Sequence, residues 1–559
     1  MVVLWLHHPY QEFIIRHFRN WFWPVVIALL TWSAVVIALD PGGDHPGMFA
    51  GPGLTVDEPF NVGQGVALID RLFAGDLAGF REVDARLPDH PPLGRLWIGL
   101  CHEVAWLVFP PIDSDAPYSV ACARTAPATA FAALVILVGV VAGRWYGRWA
   151  GAAAALSLVL MPRLFGHAHL AALETLVNVT CTAAVMYLAD QWGAISVVSA
   201  ASGAPRANSG IWNHPLVTAA IGGALFGLAL LTKVQAILLP LPVAVWTLFQ
   251  LRRRAVPMLA LWGLTGLVIF FAFWPHLWSA PLDHFREYLG RTTNRAAIQV
   301  WYFGQALPDR DIPWHYPWVM FLATVPVGLH LLGAYGLFGP ERRAWQSPRE
   351  LLLLGCGVFP LVVFSIPGVA VYDGERLFST GFTLWAGFIG RGAESARLWL
   401  SSRGSPRAVA LAGALFFAAQ GYGLVALAPC WLSYYNLAVG GLPGAAKLGL
   451  EVSYWGDGVT RTLLEQTADR LPEGESLAVL PTLYPGQWNE VRLQSPVLRK
   501  QKLRLVPFDE ESAPGHRYLL MFMRPEYLPG QFRKPFDERR ILAAVRRQGV
   551  LLAVLLDRQ

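Results

Sequence analysis

Residues 256–273 read VPMLALWGLTGLVIFFAF, and they contain no charged side chain. Three arginines, Arg252–Arg254, stand just before them. A helix needs about 20 apolar residues to cross the hydrocarbon core of a bilayer, and arginines beside such a helix favour the cytoplasmic face. This stretch therefore predicts a membrane-spanning helix whose N-terminal end lies on the cytoplasmic side.

Apolar blocks of similar length recur along the whole chain. Of its 559 residues, 54% are hydrophobic and only 15% are charged, whereas about a quarter of the residues in a soluble domain are charged. The composition therefore predicts an α-helical polytopic membrane protein with about eleven spans. The predicted spans are Phe22–Leu39, Ala126–Ala142, Ala150–Leu164, Leu170–Leu188, Pro215–Leu231, Val234–Leu251, Val256–Trp274, Trp318–Phe338, Leu351–Val371, Phe378–Ile389 and Ala408–Ala428.

Arginines fall in every second gap between these spans, as the positive-inside rule expects of cytoplasmic loops. This alternation predicts a cytoplasmic N-terminus in the plasma (inner) membrane. With an odd number of spans, it places everything after Trp431 on the extracytoplasmic side. The net charge of +6 is spread over these gaps and forms no single basic stripe, so no nucleic-acid partner is predicted. The arginines concerned are Arg16, Arg19, Arg144, Arg148, Arg252–Arg254, Arg342, Arg343, Arg391, Arg397, Arg403 and Arg407.

The first outward segment, about residues 40–124, contains apolar residues at helical spacing. One set runs from Val62 to Phe73 and another from Leu93 to Leu107, and each has a polar opposite face. Such amphipathic patterns predict juxtamembrane helices that lie along the membrane surface.

The tail, residues 431–559, has a different pattern. Short β-type runs at Ser476–Leu480, Tyr518–Met523 and Val550–Leu556 alternate with helical patterns at Thr460–Arg470 and Phe536–Gln548. Alternation of this kind predicts a small α/β domain. We therefore expect a membrane domain over residues 1–430 and an extracytoplasmic α/β domain over residues 431–559.

Two adjacent carboxylates, Asp57 and Glu58, open the first candidate site in the sequence TVDEPF. On the outer face of the membrane they can act as a base towards an acceptor hydroxyl, or as ligands of a cation. The alternative is that they only cap the following helix, a role that suits aspartate before proline.

Three histidines and a glutamate follow at the same predicted face. His90 precedes Pro91 and Pro92, and it either reaches an anionic group or merely occupies the turn into a helix. His167, His169 and Glu174 suggest a metal at first sight, but residues two apart diverge on a helix. A polar cluster close to a substrate is the favoured interpretation, and no metal ligands are assigned.

Lys233 lies between two apolar blocks, where a charge is costly unless it meets water or an anion. Its hypothetical partner is a phosphate group, and the alternative is that its side chain extends to the membrane surface. Arg376 lies on the same predicted side. A local ion pair with Asp373 or Glu375 is the alternative to a phosphate contact there.

Taken in order, these motifs resemble one family of enzymes. Asp57-Glu58, then a surface helix, then the run from His90 to Leu93 before a membrane helix is similar to the protein O-mannosyltransferases. It is also similar to the related bacterial transferases that add aminoarabinose to lipid A. The run Leu231-Thr232-Lys233 and the acidic Glu174 fit the same pattern. The resemblance covers the chain to about Trp278.

The resemblance implies a membrane glycosyltransferase of the GT-C type. Such an enzyme moves a sugar from a polyprenyl (dolichyl or undecaprenyl) phosphate to an acceptor hydroxyl of a lipid, glycan or protein, usually with inversion. It implies Asp57, Glu58 and Glu174 as catalytic residues, and Lys233, His90 and Arg376 as contacts of the donor phosphate. His167 and His169 would bind substrate. In the aminoarabinose branch a lysine stands where this chain has His90. A divalent cation is possible in the family, but no motif here indicates one.

Two other functions remain open on the sequence. A transporter or lipid flippase would use the same outward carboxylates, but such proteins often carry repeated halves, and no repeat is visible here. A structural membrane protein with a partner-binding outer domain would leave the placement of Asp57 and Lys233 unexplained. The sequence therefore favours the transferase.

Overall fold

The computed structural model describes residues 8–112, 116–201, 214–293, 296–339, 346–509, 515–533 and 537–559. Arg342 and Arg343, which contributed to the predicted topology, lie outside these ranges, and so does Phe536.

In the first part of the chain, each predicted span coincides largely with helix. The helix that carries the predicted span Ala150–Leu164 ends early, at Val159, and a short helix follows it after Met161. The helices are α1 (His8–Val36), α2 (Glu58–Phe73), α3 (Leu77–Arg86), α4 (Pro92–Val108), α5 (Val120–Ala123), α6 (Thr125–Tyr146), α7 (Arg148–Val159), α8 (Pro162–His167) and α9 (Glu174–Ala201).

The second part continues the helical array and adds one small hairpin. Its helices are α10 (Pro215–Leu230), α11 (Pro240–Leu251), α12 (Ala255–Ala272), α13 (Pro281–Thr293), α14 (Tyr316–Thr324), α15 (Val327–Phe338), α16 (Pro348–Val363), α17 (Thr380–Ser401), α18 (Pro406–Gln420) and α19 (Tyr422–Leu427). The hairpin pairs β1 (Gln299–Tyr302) with β2 (Gln305–Pro308) in antiparallel fashion.

The predicted span Trp318–Phe338 is not one straight helix. It is divided between α14 and α15, whose axes differ in direction by 109°. The break falls at Val325 and Pro326, both of which have extended backbone. Proline disfavours helical backbone in the residue before it, which explains why the helix ends here.

By length and composition, three helical segments among the described residues can cross a membrane: Val120–Tyr146, Val234–Ala272 and Pro406–Leu427. The bent pair α14 and α15 would be a fourth. The segment Val234–Ala272 contains Arg252, whose positive φ of 48° interrupts the helix between α11 and α12. The predicted number of eleven spans is not confirmed by these criteria and stays a prediction.

The two surface helices predicted in the first outward segment are confirmed as helices, namely α2 and α4. They pack closely because glycines face each other at the crossing. A Cβ atom on Gly99 would lie 2.1 Å from the carbonyl oxygen of Gly65, and one on Gly65 would lie 2.5 Å from the carbonyl oxygen of Arg95. This contact fixes the middle of α2 against the first half of α4.

The tail forms the expected mixture of helices and strands. Its helices are α20 (Gly441–Lys447), α21 (Arg461–Arg470), α22 (Gln487–Leu493) and α23 (Pro496–Lys500). Its strands are β3 (Ser476–Leu480), β4 (Arg504–Pro507), β5 (Tyr518–Phe522), β6 (Ile541–Arg547) and β7 (Val550–Asp557). Within the described residues they form one sheet in the order β4-β3-β5-β7-β6, in which β3 is parallel to both β4 and β5.

The helical prediction for Phe536–Gln548 is wrong, because residues 541–547 form strand β6. This strand pairs antiparallel with β7 through a tight turn at Gln548 and Gly549, which both have positive φ. Ala543 and Val545 are buried on alternate positions of β6. Residues 541–547 adopt strand conformation because the turn brings them beside β7. A short apolar pattern alone does not distinguish such a strand from a helix.

We predict that the crossing of α15 and α17 depends on its glycines. A Cβ atom on Gly392 would lie 1.9 Å from the carbonyl oxygen of Leu332, so Gly392→Leu must push the two helices apart. Overpacking of this kind costs about 1–3 kcal/mol or more. The measurement is the melting temperature of the purified protein in detergent, which we expect to fall by several degrees.

Gly413→Leu in α18 is the matched control, because a Cβ atom there has open space around it. Its melting temperature should equal that of the wild type. Equal melting temperatures for the two variants would contradict the close approach of α15 and α17.

Candidate active site

Asp57 lies immediately before α2, and its side chain points away from the helix it precedes. Among the described residues it makes no capping hydrogen bond to that helix. Instead, Arg376 Nη1 donates a hydrogen bond of 2.8 Å to Asp57 Oδ2, although the two residues are 319 positions apart. The Asp57 side chain is 38% exposed. It is therefore a carboxylate that is both paired with a cation and open to the outside.

Arg376 is the hub of this site. Besides Asp57, it contacts Asp373 Oδ2 at 3.1 Å and Glu174 Oε1 at 3.5 Å. Its guanidinium plane lies 4.8 Å from the ring of Tyr372 and 4.6 Å from the ring of Trp455. Burial alone lowers the pKa of Arg376, but the neighbouring carboxylates outweigh it and hold the pKa well above its ordinary value. The guanidinium therefore stays charged.

Glu174 and Lys233 extend the cluster towards the helices. Glu174 opens α9, a position where the helix dipole favours a negative charge. Lys233 follows α10 in extended backbone and donates a hydrogen bond of 2.5 Å to Glu174 Oε1. The side chains of Glu174 and Lys233 are only 1% and 8% exposed. Asp57, Arg376, Glu174 and Lys233 thus form one continuous chain of ion pairs.

His90 lies beside this chain. It is close enough to Asp57 and Lys233 for both charges to affect the pKa of its imidazole. Burial lowers the pKa of His90 to about 4, so the imidazole is neutral at pH 7. Its Nδ1 atom is buried and has no hydrogen-bond partner within the described part of the chain. His90 is therefore able to offer a hydrogen bond to a ligand, but no charge.

Glu58 has different surroundings from Asp57, although the two residues are adjacent. It is fully buried and forms a two-fold hydrogen-bonded ion pair with Arg124, with both distances 2.7 Å. Its oxygens also accept hydrogen bonds from Thr55 and from the backbone N–H of Ala171. The other N–H groups of Arg124 bond to carbonyl oxygens of the segment that precedes Asp57, at Pro52 and Gly53, and to that of Leu39. Glu58 therefore holds three parts of the chain together.

His167 and His169 fall into different environments. His167 Nε2 lies 3.5 Å from Glu375 Oε1, next to the residue that forms the hub, and its ring meets the ring of Trp455 at a right angle. His169 hydrogen-bonds through Nδ1 to the carbonyl oxygen of Phe165 and packs on Trp431. Both side chains are buried. His167 thus contacts Glu375 and Trp455, two neighbours of Arg376. His169 instead belongs to the aromatic packing around Trp431.

A metal centre is not found in the described ranges, since no three His, Cys, Asp or Glu side chains there are placed to hold an ion.

Sequence reasoning missed the partners that the tail supplies. Trp455 covers Arg376, and Arg524 Nη2 lies 2.9 Å from Asp373 Oδ1. The sequence indicates Asp373 only as a local partner of Arg376. A charged residue next to a buried strand, such as Arg524 after β5, indicates an ion pair in the fold, because a buried charge requires a partner.

No protein-family model and no curated protein sequence matches this chain. Among solved structures, the chain is similar to ArnT from Cupriavidus metallidurans in the apo state, with 16% identity, a TM-score of 0.46, and coverage of 95% of this chain and 96% of that one. The same protein bound to undecaprenyl phosphate gives 16% identity, a TM-score of 0.43, and coverage of 95% and 97%. The oligosaccharyltransferase AglB from Archaeoglobus fulgidus, in complex with an inhibitory peptide and a dolichol-phosphate, shows 12% identity and a TM-score of 0.45. That match covers 90% of this chain and 69% of the AglB chain.

We predict that Glu58 is essential for folding. Glu58→Gln leaves the buried Arg124 without its counter-charge, and breaking a buried pair in this way costs about 3–5 kcal/mol. The yield of monodisperse protein and its melting temperature should both fall. Glu82→Gln, which removes an exposed partner of Arg86 in α3, is the control and should leave both values unchanged. A Glu58→Gln variant with wild-type stability would contradict this role.

Proposed function

We propose that this protein is an integral-membrane glycosyltransferase of the GT-C type. It moves a sugar from a polyprenyl phosphate to an acceptor hydroxyl on the extracytoplasmic side, with inversion. The observation that supports this function is that Asp57, a carboxylate open to the outside, pairs with the buried Arg376, which shares the carboxylate of Glu174 with the buried Lys233. Attack by a hydroxyl needs a base, and a phosphate leaving group needs positive charge.

The two cations are the proposed contacts of the donor phosphate. A sugar-linked phosphodiester carries one negative charge and gains a second as its bond to the sugar breaks. Lys233 and Arg376 are held in place by the carboxylate of Glu174 between them, so they need little rearrangement to meet this charge. Among the described residues, Arg376 Nε has no hydrogen-bond partner although it is buried. It is therefore a donor that a phosphate oxygen can use.

Asp57 is the proposed base. Before the donor binds, one of its oxygens accepts a hydrogen bond from Arg376. A phosphate that binds Arg376 competes for that guanidinium and weakens its hold on Asp57. The acceptor oxygen then attacks the anomeric carbon, and Asp57 takes the hydroxyl proton. The bond from that carbon to the phosphate oxygen breaks, and its electron pair leaves with the polyprenyl phosphate.

The other predicted site residues take supporting roles in this proposal. Glu58 positions the segment around Asp57 and does not meet the acceptor, because it is buried and its oxygens are occupied. Glu174 holds Lys233, and neutral His90 donates a hydrogen bond to the donor. His167 supports Glu375 beside Arg376. We assign no substrate contact to His169, because it belongs to the packing around Trp431.

We further propose the orientation that the arginine pattern indicates. The membrane domain, residues 1–430, spans the plasma membrane about eleven times, and the α/β domain of residues 431–559 lies outside. In this orientation the partners are the bilayer, a polyprenyl-phosphate-linked sugar, and a lipid, glycan or protein that presents a hydroxyl.

The first test compares the wild type with Asp57→Asn, both reconstituted in lipid with polyprenyl-phosphate sugars and candidate acceptors. Loss of a general base lowers turnover by about 10²–10⁴-fold, and donor binding should persist. Glu82→Gln in α3 serves as the control and should keep full turnover. Equal turnover by Asp57→Asn would remove Asp57 as the base. If the wild type transfers no sugar but moves the lipid across the bilayer, the protein is a flippase instead.

A second test concerns Lys233. We expect Lys233→Ala to weaken donor binding more than it lowers turnover, because it removes a phosphate contact that is present in the ground state. Binding of undecaprenyl phosphate to the purified variant is the measurement, and Lys447→Ala in α20 is the control on an exposed lysine.

Because Lys233→Ala leaves Glu174 buried without its lysine partner, the pair Lys233→Met with Glu174→Gln is measured as well. That double variant removes both charges together and should fold better than the single one. Unchanged donor affinity in both variants would contradict the phosphate role of Lys233.

A further inference from the structure

Arg524 links the α/β domain to the candidate active site. It lies two residues beyond the end of β5. The residue between them, Met523, donates its backbone N–H to the carbonyl oxygen of Leu552 in β7. The Arg524 side chain is only 4% exposed. The side chain donates hydrogen bonds to Asp373 at 2.9 Å, to Glu526 at 2.6 Å and to the carbonyl oxygen of Tyr454. The guanidinium is thus held by partners from the segments around Asp373, Tyr454 and Glu526.

Asp373 connects Arg524 to Arg376. Its Oδ1 atom accepts from Arg524, and its Oδ2 atom lies 3.1 Å from Arg376 Nη2. The backbone at Asp373 has a positive φ of 54°, which is uncommon for any residue other than glycine. Gly374 follows with a φ of 68°, and its N–H bonds to the Tyr316 hydroxyl. The loop is therefore shaped to aim one carboxylate at two guanidinium groups.

A second connection runs parallel to the first. The ring of Trp455 lies on the guanidinium of Arg376, and the carbonyl oxygen of Trp455 accepts from the N–H of Val56, next to Asp57. The preceding residue, Tyr454, is the one whose carbonyl oxygen bonds to Arg524. Two consecutive residues of the tail thus contact Arg524, Arg376 and the segment that presents Asp57.

We infer that Arg524 is a positioning residue of the donor phosphate site and acts on Arg376 through Asp373. The inference rests on the proposed function, because it assumes that Arg376 receives the phosphate.

The reason is electrostatic. Arg376 contacts three carboxylates, those of Asp57, Asp373 and Glu174. Arg524 takes up part of the negative charge of Asp373, and this leaves more of the positive charge of Arg376 for a phosphate. Without Arg524, Asp373 draws Arg376 towards itself and away from the donor. The α/β domain therefore supplies part of the donor site and does more than cover it.

The test measures the dissociation constant of undecaprenyl phosphate, without sugar or acceptor, for the full-length protein in detergent. We expect Arg524→Met to weaken binding about tenfold or more, a change of about 1.4 kcal/mol, and Arg524→Lys to restore part of the affinity. Arg517→Met is the matched control. Arg517 lies at the other end of β5 in an exposed pair with Asp557, so its replacement should leave binding unchanged.

A double-mutant cycle separates positioning from a purely structural effect. In an Asp373→Asn background, Arg524→Met should change the dissociation constant much less than it does in the wild type, because the connection is already broken. Melting temperatures are recorded for all variants.

Two results would overturn the inference. One is unchanged lipid-phosphate binding by a folded Arg524→Met variant. The other is an equal loss of binding with and without Asp373. If the wild type itself does not bind undecaprenyl phosphate, the proposed function fails, and the role of Arg524 fails with it. Binding by the wild type combined with indifference to Arg524 rejects only the inference and leaves the proposed function intact.

Discussion

A charge that is taken out of water must find an opposite charge, and this requirement organises the centre of the molecule. Arg376 is 7% exposed and is surrounded by Asp57, Asp373 and Glu174. An isolated buried ion costs several kcal/mol, so the Arg376 guanidinium requires its carboxylate partners. The partners come from the start of α2, the start of α9, the loop before α17 and, through Asp373, from the tail. The ion-pair network therefore ties distant parts of the chain to one point.

The contrast between Asp57 and Glu58 shows how the same residue type receives two roles. Glu58 accepts hydrogen bonds from Arg124, from Thr55 and from the backbone of Ala171, and it is fully buried. Asp57 has one cationic partner and an exposed side. A carboxylate whose oxygens are saturated stabilises the fold, whereas one with free acceptor capacity can take a proton. The structural carboxylate thus holds the reactive one in place.

Much of the fold could be predicted from the sequence because its signals are local. Uninterrupted apolar blocks predict helices, and the three strands predicted in the tail, which are β3, β5 and β7, appear at nearly their true bounds. Strand β4, Arg504–Pro507, was not predicted. The errors arise where a turn or a proline, rather than hydrophobic periodicity, determines the structure. The strand β6 depends on pairing with β7, and the bend between α14 and α15 depends on the conformation around Pro326. The spacing of apolar residues along the sequence indicates neither feature.

The candidate site shows the same limit. Local motifs and the family resemblance single out Asp57, Glu174, Lys233 and Arg376, and the structure brings all four together. The contribution of Arg524 could not be predicted, since it is 151 residues from Asp373. Its position results from the order of strands in the sheet. A sequence pattern reveals that a charge needs a partner, but only the fold shows which one it has.

In the proposed reaction, the shared use of Arg376 also sets an order of events. While the donor is absent, one oxygen of Asp57 is occupied by a hydrogen bond from the guanidinium. The phosphate, by taking over the guanidinium, removes that restraint when an electrophilic sugar is present. Trp455 and Asp373 keep Arg376 in position during the exchange, since the ring and the second carboxylate hold the guanidinium from other sides. One arginine thereby couples donor binding to activation of the acceptor.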